Sequence, residues 1–310
     1  MFTGVNHVGI SVSDMNRSID FYGDVLGFTE TLFDFTGNLP GLDKATGKKE
    51  INARIVMLQH QNKGPVGLGM VKLIHLLPPY VATSIPENEI WGETGLAEIA
   101  LNTRNTAAMF GETIRKGAKP LLPPSIPEVF PPYENNVVSV SYIADPDGCK
   151  IELNELCETW PGLGKEPRIE GINHVAFGAS DVEKTLEFYK QLGFTELVVD
   201  YAGYVDCMAT WYPKPTKLRI VIMANYHGAW IEVVGHFPPS KNIKNNWGRL
   251  GPVEFAIGVN NLERAYSELT EKGHKFLCPP QSIDVDTGQW KYAYITAPDN
   301  LCVCLSESRY

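Results

Sequence analysis

Residues 5–12, VNHVGISV, alternate apolar and polar positions with a period of two, the pattern of a half-buried strand. Asp14 then offers a helix N-cap and Gly27 a stop, with Ile19, Tyr22 and Leu26 on one helical face between them. Two or three β-rich runs follow, TETLFDF, INARIVMLQ and GMVKLIHL. A loop carrying Trp91 leads into a second pass. AEIALNT reads as a strand, TAAMFGETIRKG as a helix ending at Gly117, and VVSVSYIA and CKIELNEL as strands. This half therefore predicts two βαβββ modules. A single such module leaves one face of its sheet bare, so pairing of modules is expected.

The second half repeats the first. GVNHVGISVSDMNRSIDFYGDVLGF from Gly4 returns as GINHVAFGASDVEKTLEFYKQLGF from Gly171, an offset of 167 residues. His7 meets His174, Asp14 meets Asp181, and Tyr22 meets Tyr189. VKLIHLLPP meets IEVVGHFPP, WGETGLAEIAL meets WGRLGPVEFAI, and YIADPDGCKIEL meets YITAPDNLCVCL. The expected organisation is α+β: four βαβββ modules paired into two domains with curved, partly open sheets. The domains are 1–156 and 170–310, joined by the Pro/Gly-rich linker 157–169.

Composition narrows the function classes. The chain has 310 residues, 44% hydrophobic and 20% charged, with a net charge of −9. That is a globular composition, and an acidic chain without a basic run argues against nucleic acid and anionic membranes as partners. No apolar stretch approaches a membrane span, and the first residues carry no secretion pattern, so a cytoplasmic location is expected. The six cysteines form no CxxC pair and read as free thiols.

The opening NHVGISVSD…SIDFYGDVLGF and the close DPDGCKIEL resemble the vicinal oxygen chelate superfamily. That group includes glyoxalase I, methylmalonyl-CoA epimerase, fosfomycin- and bleomycin-resistance proteins and extradiol dioxygenases. The resemblance implies a metal held in each cavity by the first and last strands of two paired modules. Carried over within each half, the ligand positions are His7, Lys72, Glu98 and Glu152, and then His174, Glu232, Glu254 and Cys304. Lys72 cannot ligate while protonated, and Glu98 and Glu254 stand where many relatives have a second His. The His7–Glu98–Glu152 set is the favoured centre. With one His and carboxylates, such a set suits a divalent ion (Mn, Fe, Mg, Zn or Ni) and lacks the two-His triad of oxygen-activating iron.

The same residues suggest roles in catalysis. Glu98 and Glu254 each interrupt an apolar run, and a buried carboxylate needs a cation or a partner. Glu98, Glu152, Glu232 and Glu254 are the proton-moving candidates. Arg54 and Arg219 recur in both halves and could hold a substrate anion; a structural ion pair is the equal alternative. Tyr133 and Trp211 are candidates for an apolar substrate wall, with Trp91 and Tyr212, although most such aromatics are core. Lys72 reads as a cation neutralising Glu98 or Glu152, with a catalytic cation as the less common alternative, and Cys304 as filler or thiolate ligand. GNLPGLDKATGKKE reads as an exposed loop rather than a lid. The expected activity is metal-dependent isomerisation, epimerisation or lysis of a small oxygen-bearing substrate. Extradiol cleavage and non-catalytic sequestration are the alternatives, in a monomer or homodimer.

Overall fold

The computed structural model describes residues 2–62, 69–93, 95–156, 166–240 and 247–307, so most of the expected linker (157–165) lies outside the described residues. Module one comprises β1 (Phe2–Ser11), α1 (Met15–Asp20), β2 (Glu30–Asn38), a short α2 (Leu42–Thr46), β3 (Asn52–Gln59) and β4 (Met70–Leu76). Module two comprises β5 (Leu96–Arg104), α3 (Thr106–Arg115), β6 (Lys119–Leu122), a two-residue β7 (Glu128–Val129), β8 (Val137–Ala144) and β9 (Lys150–Leu156). Module three follows with β10 (Arg168–Gly178), α4 (Val182–Lys190), β11 (Glu196–Gly203), β12 (Lys217–Ala224) and β13 (Trp230–Phe237). Module four holds β14 (Gly251–Val259), α5 (Leu262–Glu271), β15 (Phe276–Val285), β16 (Gly288–Thr296) and β17 (Cys302–Glu307). The four βαβββ modules and their pairing into two glyoxalase-like sheets agree with the sequence reading. The expected helix from Asp14 to Gly27 is α over Met15–Asp20 and then a π-helical turn, Phe21–Val25, which Gly27 closes in the left-handed region.

The pairing partners differ from expectation. One sheet runs β15-β16-β17-β14-β1-β4-β3-β2 and the other β11-β12-β13-β10-β5-β9-β8-β6. Module one therefore shares a sheet with module four, and module two with module three. Each module leaves one edge of its first strand unpaired, an exposed row of backbone donors and acceptors. That edge of β1 is closed by β14, and that of β5 by β10, both antiparallel. The sequential division into 1–156 and 170–310 is thus not the division into sheets.

The halves keep a different internal link. Asp147 of DPDG accepts the Ser13 N–H at 2.7 Å and pairs with Arg17 at 2.6 Å, tying the second module to the start of α1. Asp299 of the related APDN accepts the Ser180 N–H at 2.9 Å in the same way. The best-preserved turn in the chain is therefore a clamp between modules of one half, while strand pairing joins the halves.

Strand alternation sorts the side chains. Val8 and Ile10, Ile99 and Leu101, Val175 and Phe177, and Phe255 and Ile257 enter one core that both sheets and the helices share. His7, Glu98, His174 and Glu254 face the other way, where each sheet holds its own smaller cluster. Among the described residues no helix is long and apolar enough to cross a membrane. The five described cysteines are free.

Because Asp147 is nearly buried and satisfies several donors, Asp147→Asn is expected to lower unfolding free energy by about 1.5–3 kcal/mol, the range for hydrogen bonds to a charged group. Urea denaturation with an unchanged m-value checks this. Asp299→Asn, which loses no arginine partner, is expected to lower it less.

Candidate metal centre

Cross-half pairing assembles one complete set of donors. On β10, Ala176 lies opposite both Glu98 of β5 and Glu232 of β13, and His174 lies opposite Ala100, which in turn pairs with Glu152 of β9. The two alanines leave the inner face open above them, and His174, Glu98, Glu152 and Glu232 converge there, all buried. The His174 Nε2 lies 3.1 Å from a Glu232 oxygen and 3.4 Å from a Glu152 oxygen. Neither approach has hydrogen-bond alignment, and the Nε2 is without a hydrogen-bond partner. Donor atoms of Glu98, Glu152 and His174 all lie within 4.8 Å of one another.

A supporting layer fixes these groups. Asn173 Oδ1 accepts from His174 Nδ1 at 2.7 Å, and Asn173 in turn donates to Asn102 at 2.6 Å. That bond leaves Nε2 facing the carboxylates. Trp91 Nε1 donates to Glu98, and Asn154 donates to Glu152 at 2.7 Å. The Tyr142 hydroxyl lies 3.1 Å from both Glu98 and Glu152. The single phenolic proton serves one of these contacts at a time. Burial, then the Glu152 and Glu232 charges, hold Glu98 well above the usual carboxylate range. Burial also raises Glu232, against the pull of His174. Burial would lift Glu152 too, but the close His174 imidazole, then the neighbouring Glu98 carboxyl and the Asn154 amide, bring it below the usual value. His174 has the same contest in reverse: burial lowers it, and the two carboxylates prevail and hold it at about 10.

The residues fit a divalent ion. Three carboxylates buried beside one imidazole are costly to desolvate without a cation, and one nitrogen with three oxygens is a donor set for Mn, Fe, Zn or Ni. A cavity opens over Glu152 and Glu232, walled by Val138, Val140, Val199, Ile220 and Ile222.

The remaining four positions meet in the other sheet. His7, Glu254 and Cys304 lie together and buried, and Lys72 forms a buried ion pair with Glu254. Lys72 therefore neutralises Glu254, not Glu98 or Glu152. The favoured His7–Glu98–Glu152 set does not form, nor does one of His174, Glu232 and Glu254, because β1 and β5 lie in different sheets. Arg54 pairs with Asp34 at 2.7 Å, and Arg219 with Asp200 at 3.0 Å and with Glu183, all away from both clusters; the ion-pair reading describes them. Tyr133 is exposed and apart. Trp211 packs edge-on against Tyr142 at 4.7 Å, one ring removed from the ligands. The segment 37–50 contains the end of β2 and α2 rather than only loop. Sequence reasoning missed Tyr142, Asn154 and the two asparagines; the Asn-His pair recurring at both strand starts was the signal for Asn173.

A family model described as the Glyoxalase/Bleomycin resistance protein/Dioxygenase superfamily matches residues 4–153 and again 171–304. No curated protein matches the sequence. Three crystal structures of glyoxalase I from Zea mays, two of them mutants, superpose with TM-scores of 0.60–0.62 at 17–18% identity, covering 98% of this chain and 92–94% of those. A putative dioxygenase from Bacillus subtilis subsp. subtilis str. 168 gives 0.58 at 13% identity, covering 100% and 86%. At such identities these structures speak for the fold alone. The two family matches span most of the sequence, one per half, and the chain belongs to the glyoxalase/bleomycin-resistance/dioxygenase superfamily.

Proposed function

We propose that the chain is a metal-dependent isomerase or epimerase that enolises a small substrate bearing two neighbouring oxygens, at the centre formed by His174, Glu232, Glu98 and Glu152. The observation that carries this is the convergence of His174, Glu98 and Glu152 on a single buried point, with Glu232 3.1 Å from the same imidazole, beside a cavity. A bound divalent ion supplies positive charge for a developing oxyanion. The protein's own groups divide the remaining work. Glu98, wrapped by Trp91 and Tyr142, is a fixed ligand. Glu152 and Glu232 both line the cavity, within 3.4 Å and 3.1 Å of the His174 Nε2. Two carboxyl groups facing one cavity suit a base that takes a proton from carbon and an acid that returns one. The valine and isoleucine walls favour an apolar substrate body and keep water from the intermediate. A single imidazole in the cluster speaks against the two-His site of oxygen-activating Fe(II).

Metal loading must displace the His174 proton, held with a pKa of about 10. Apparent affinity is therefore expected to rise with pH up to that value, by about tenfold per pH unit for each proton released. Calorimetry in buffers of different ionisation enthalpy counts the protons, and His174→Ala is expected to abolish the uptake.

With metal loaded, deuterium from D2O is expected to enter small α-hydroxycarbonyl compounds at the carbon beside the carbonyl, read by NMR. Glu152→Gln is expected to slow that exchange by about 10²–10⁴-fold. Absence of exchange across the panel, with tight binding of the same compounds, would replace the enzyme reading with sequestration.

A further inference from the structure

The eight-stranded sheet repeats the constellation of the centre position for position. Gly9 of β1 lies opposite Lys72 and Glu254, as Ala176 lies opposite Glu232 and Glu98. Cys304 lies opposite Ala256, as Glu152 lies opposite Ala100. His7 is buried and bonded at Nδ1 to Asn6 at 2.9 Å, as His174 is to Asn173. The surroundings have changed. The Lys72 ammonium sits inside the ring of donors, on Glu254 and 4.6 Å over the Trp290 ring. A Cβ at Gly9 would come within 2.5 Å of Glu254 Cγ, so glycine lets that carboxylate lie across β1 toward the lysine. The walls are filled as well. Tyr294 pairs with Cys304 as Tyr142 does with Glu152, and this register sets Trp290 and Tyr292 at the places of Val138 and Val140. Phe33, across from Met57, takes the place of Val199, across from Ile222. Phe33, Trp290 and Tyr292 are buried; Trp290 stacks on Tyr292 at 4.6 Å, and the Tyr292 hydroxyl donates to Pro40 carbonyl at 2.9 Å, closing the mouth.

We infer that this second constellation is occupied by the protein itself: the Lys72 ammonium stands where a metal ion would sit, and Phe33, Trp290 and Tyr292 stand where a substrate would. The donors His7, Glu254 and Cys304 thus do not fit a divalent ion, because a cation of fixed position already neutralises their single carboxylate and a second cation beside it would be repelled. Burial and the nearby lysine hold the His7 imidazole well below its usual pKa, and burial holds the Cys304 thiol well above its own, so neither adds charge to attract one. The pair also links β4 to β14 across β1 without any ion. The further expectation of a single ion per chain, in the nine-stranded sheet, rests on the proposed first centre.

Cobalt(II) titrated into the His174→Ala variant, followed by elemental analysis and absorption, tests this directly. No ion is expected to bind. Adding Lys72→Glu and Cys304→Glu to that variant is expected to create a site for one ion, lost again with His7→Ala. An ion held by His174→Ala and lost with His7→Ala would overturn the inference, as would a thiolate-to-cobalt absorption in the wild type that Cys304→Ser removes. So would a folded Lys72→Glu/Cys304→Glu protein that gains no ion. Should those substitutions unfold the chain, hydrogen exchange on the wild type decides. Cobalt is expected to protect β5, β9, β10 and β13 and leave β1, β4, β14 and β17 unchanged; protection of β1 and β14 contradicts the inference. A wild type that takes no cobalt at all refutes the first centre, while the His174→Ala series still judges the second.

Discussion

Strands β5 and β10 pair antiparallel, with Ala100 against His174 and Glu98 against Ala176. Each strand brings one ligand and one small residue, and each has a parallel partner carrying another carboxylate, Glu152 on β9 and Glu232 on β13. A one-residue slip would turn every one of these groups to the opposite face. Val175, Phe177, Ile99 and Leu101 prevent that slip, since they must enter the shared core. The apolar half of each strand therefore sets the geometry of the polar half.

Charge burial accounts for much of the rest. Three carboxylates and an imidazole in one buried place invite a cation: burial raises the Glu98 and Glu232 carboxyls, and the facing carboxylates raise the His174 imidazole. In the other sheet the same demand is met by an internal cation, Lys72. A lysine stands at the position of Glu232, a cysteine at that of Glu152, and Glu254 is paired internally. Two copies of one framework thus handle buried charge by different means. The aromatic residues over Lys72 belong with that change: they fill a space that valines leave open in the other sheet.

Much of this was legible in the sequence because duplication wrote the same signals twice. The period-two runs, the Asp14 and Asp181 caps and the glycine stops located strands and helices. His174 and the three glutamates that meet at the centre were each identifiable, since each sits in an apolar strand where burial of a charge needs a reason. The arginines misled the substrate reading because recurrence in both halves is equally the mark of a structural ion pair, as Arg54–Asp34 and Arg219–Asp200 are.

What the sequence determined by itself is local: which segments are strands and which face of each is apolar, with eight candidate ligand positions marked by the family resemblance. It could not determine which modules share a sheet. The first strands of all four modules have similar apolar faces and similar free edges, so β1 is as suitable beside β5 as beside β14, and nothing within a few residues of either strand distinguishes the two. That choice depends on how the whole chain closes its edges and fills one common core, and only the tertiary structure makes it. Its consequence is chemical. Pairing across the halves gathers His174, Glu98, Glu152 and Glu232 into one intact set and sends both departures, Lys72 and Cys304, to the other sheet.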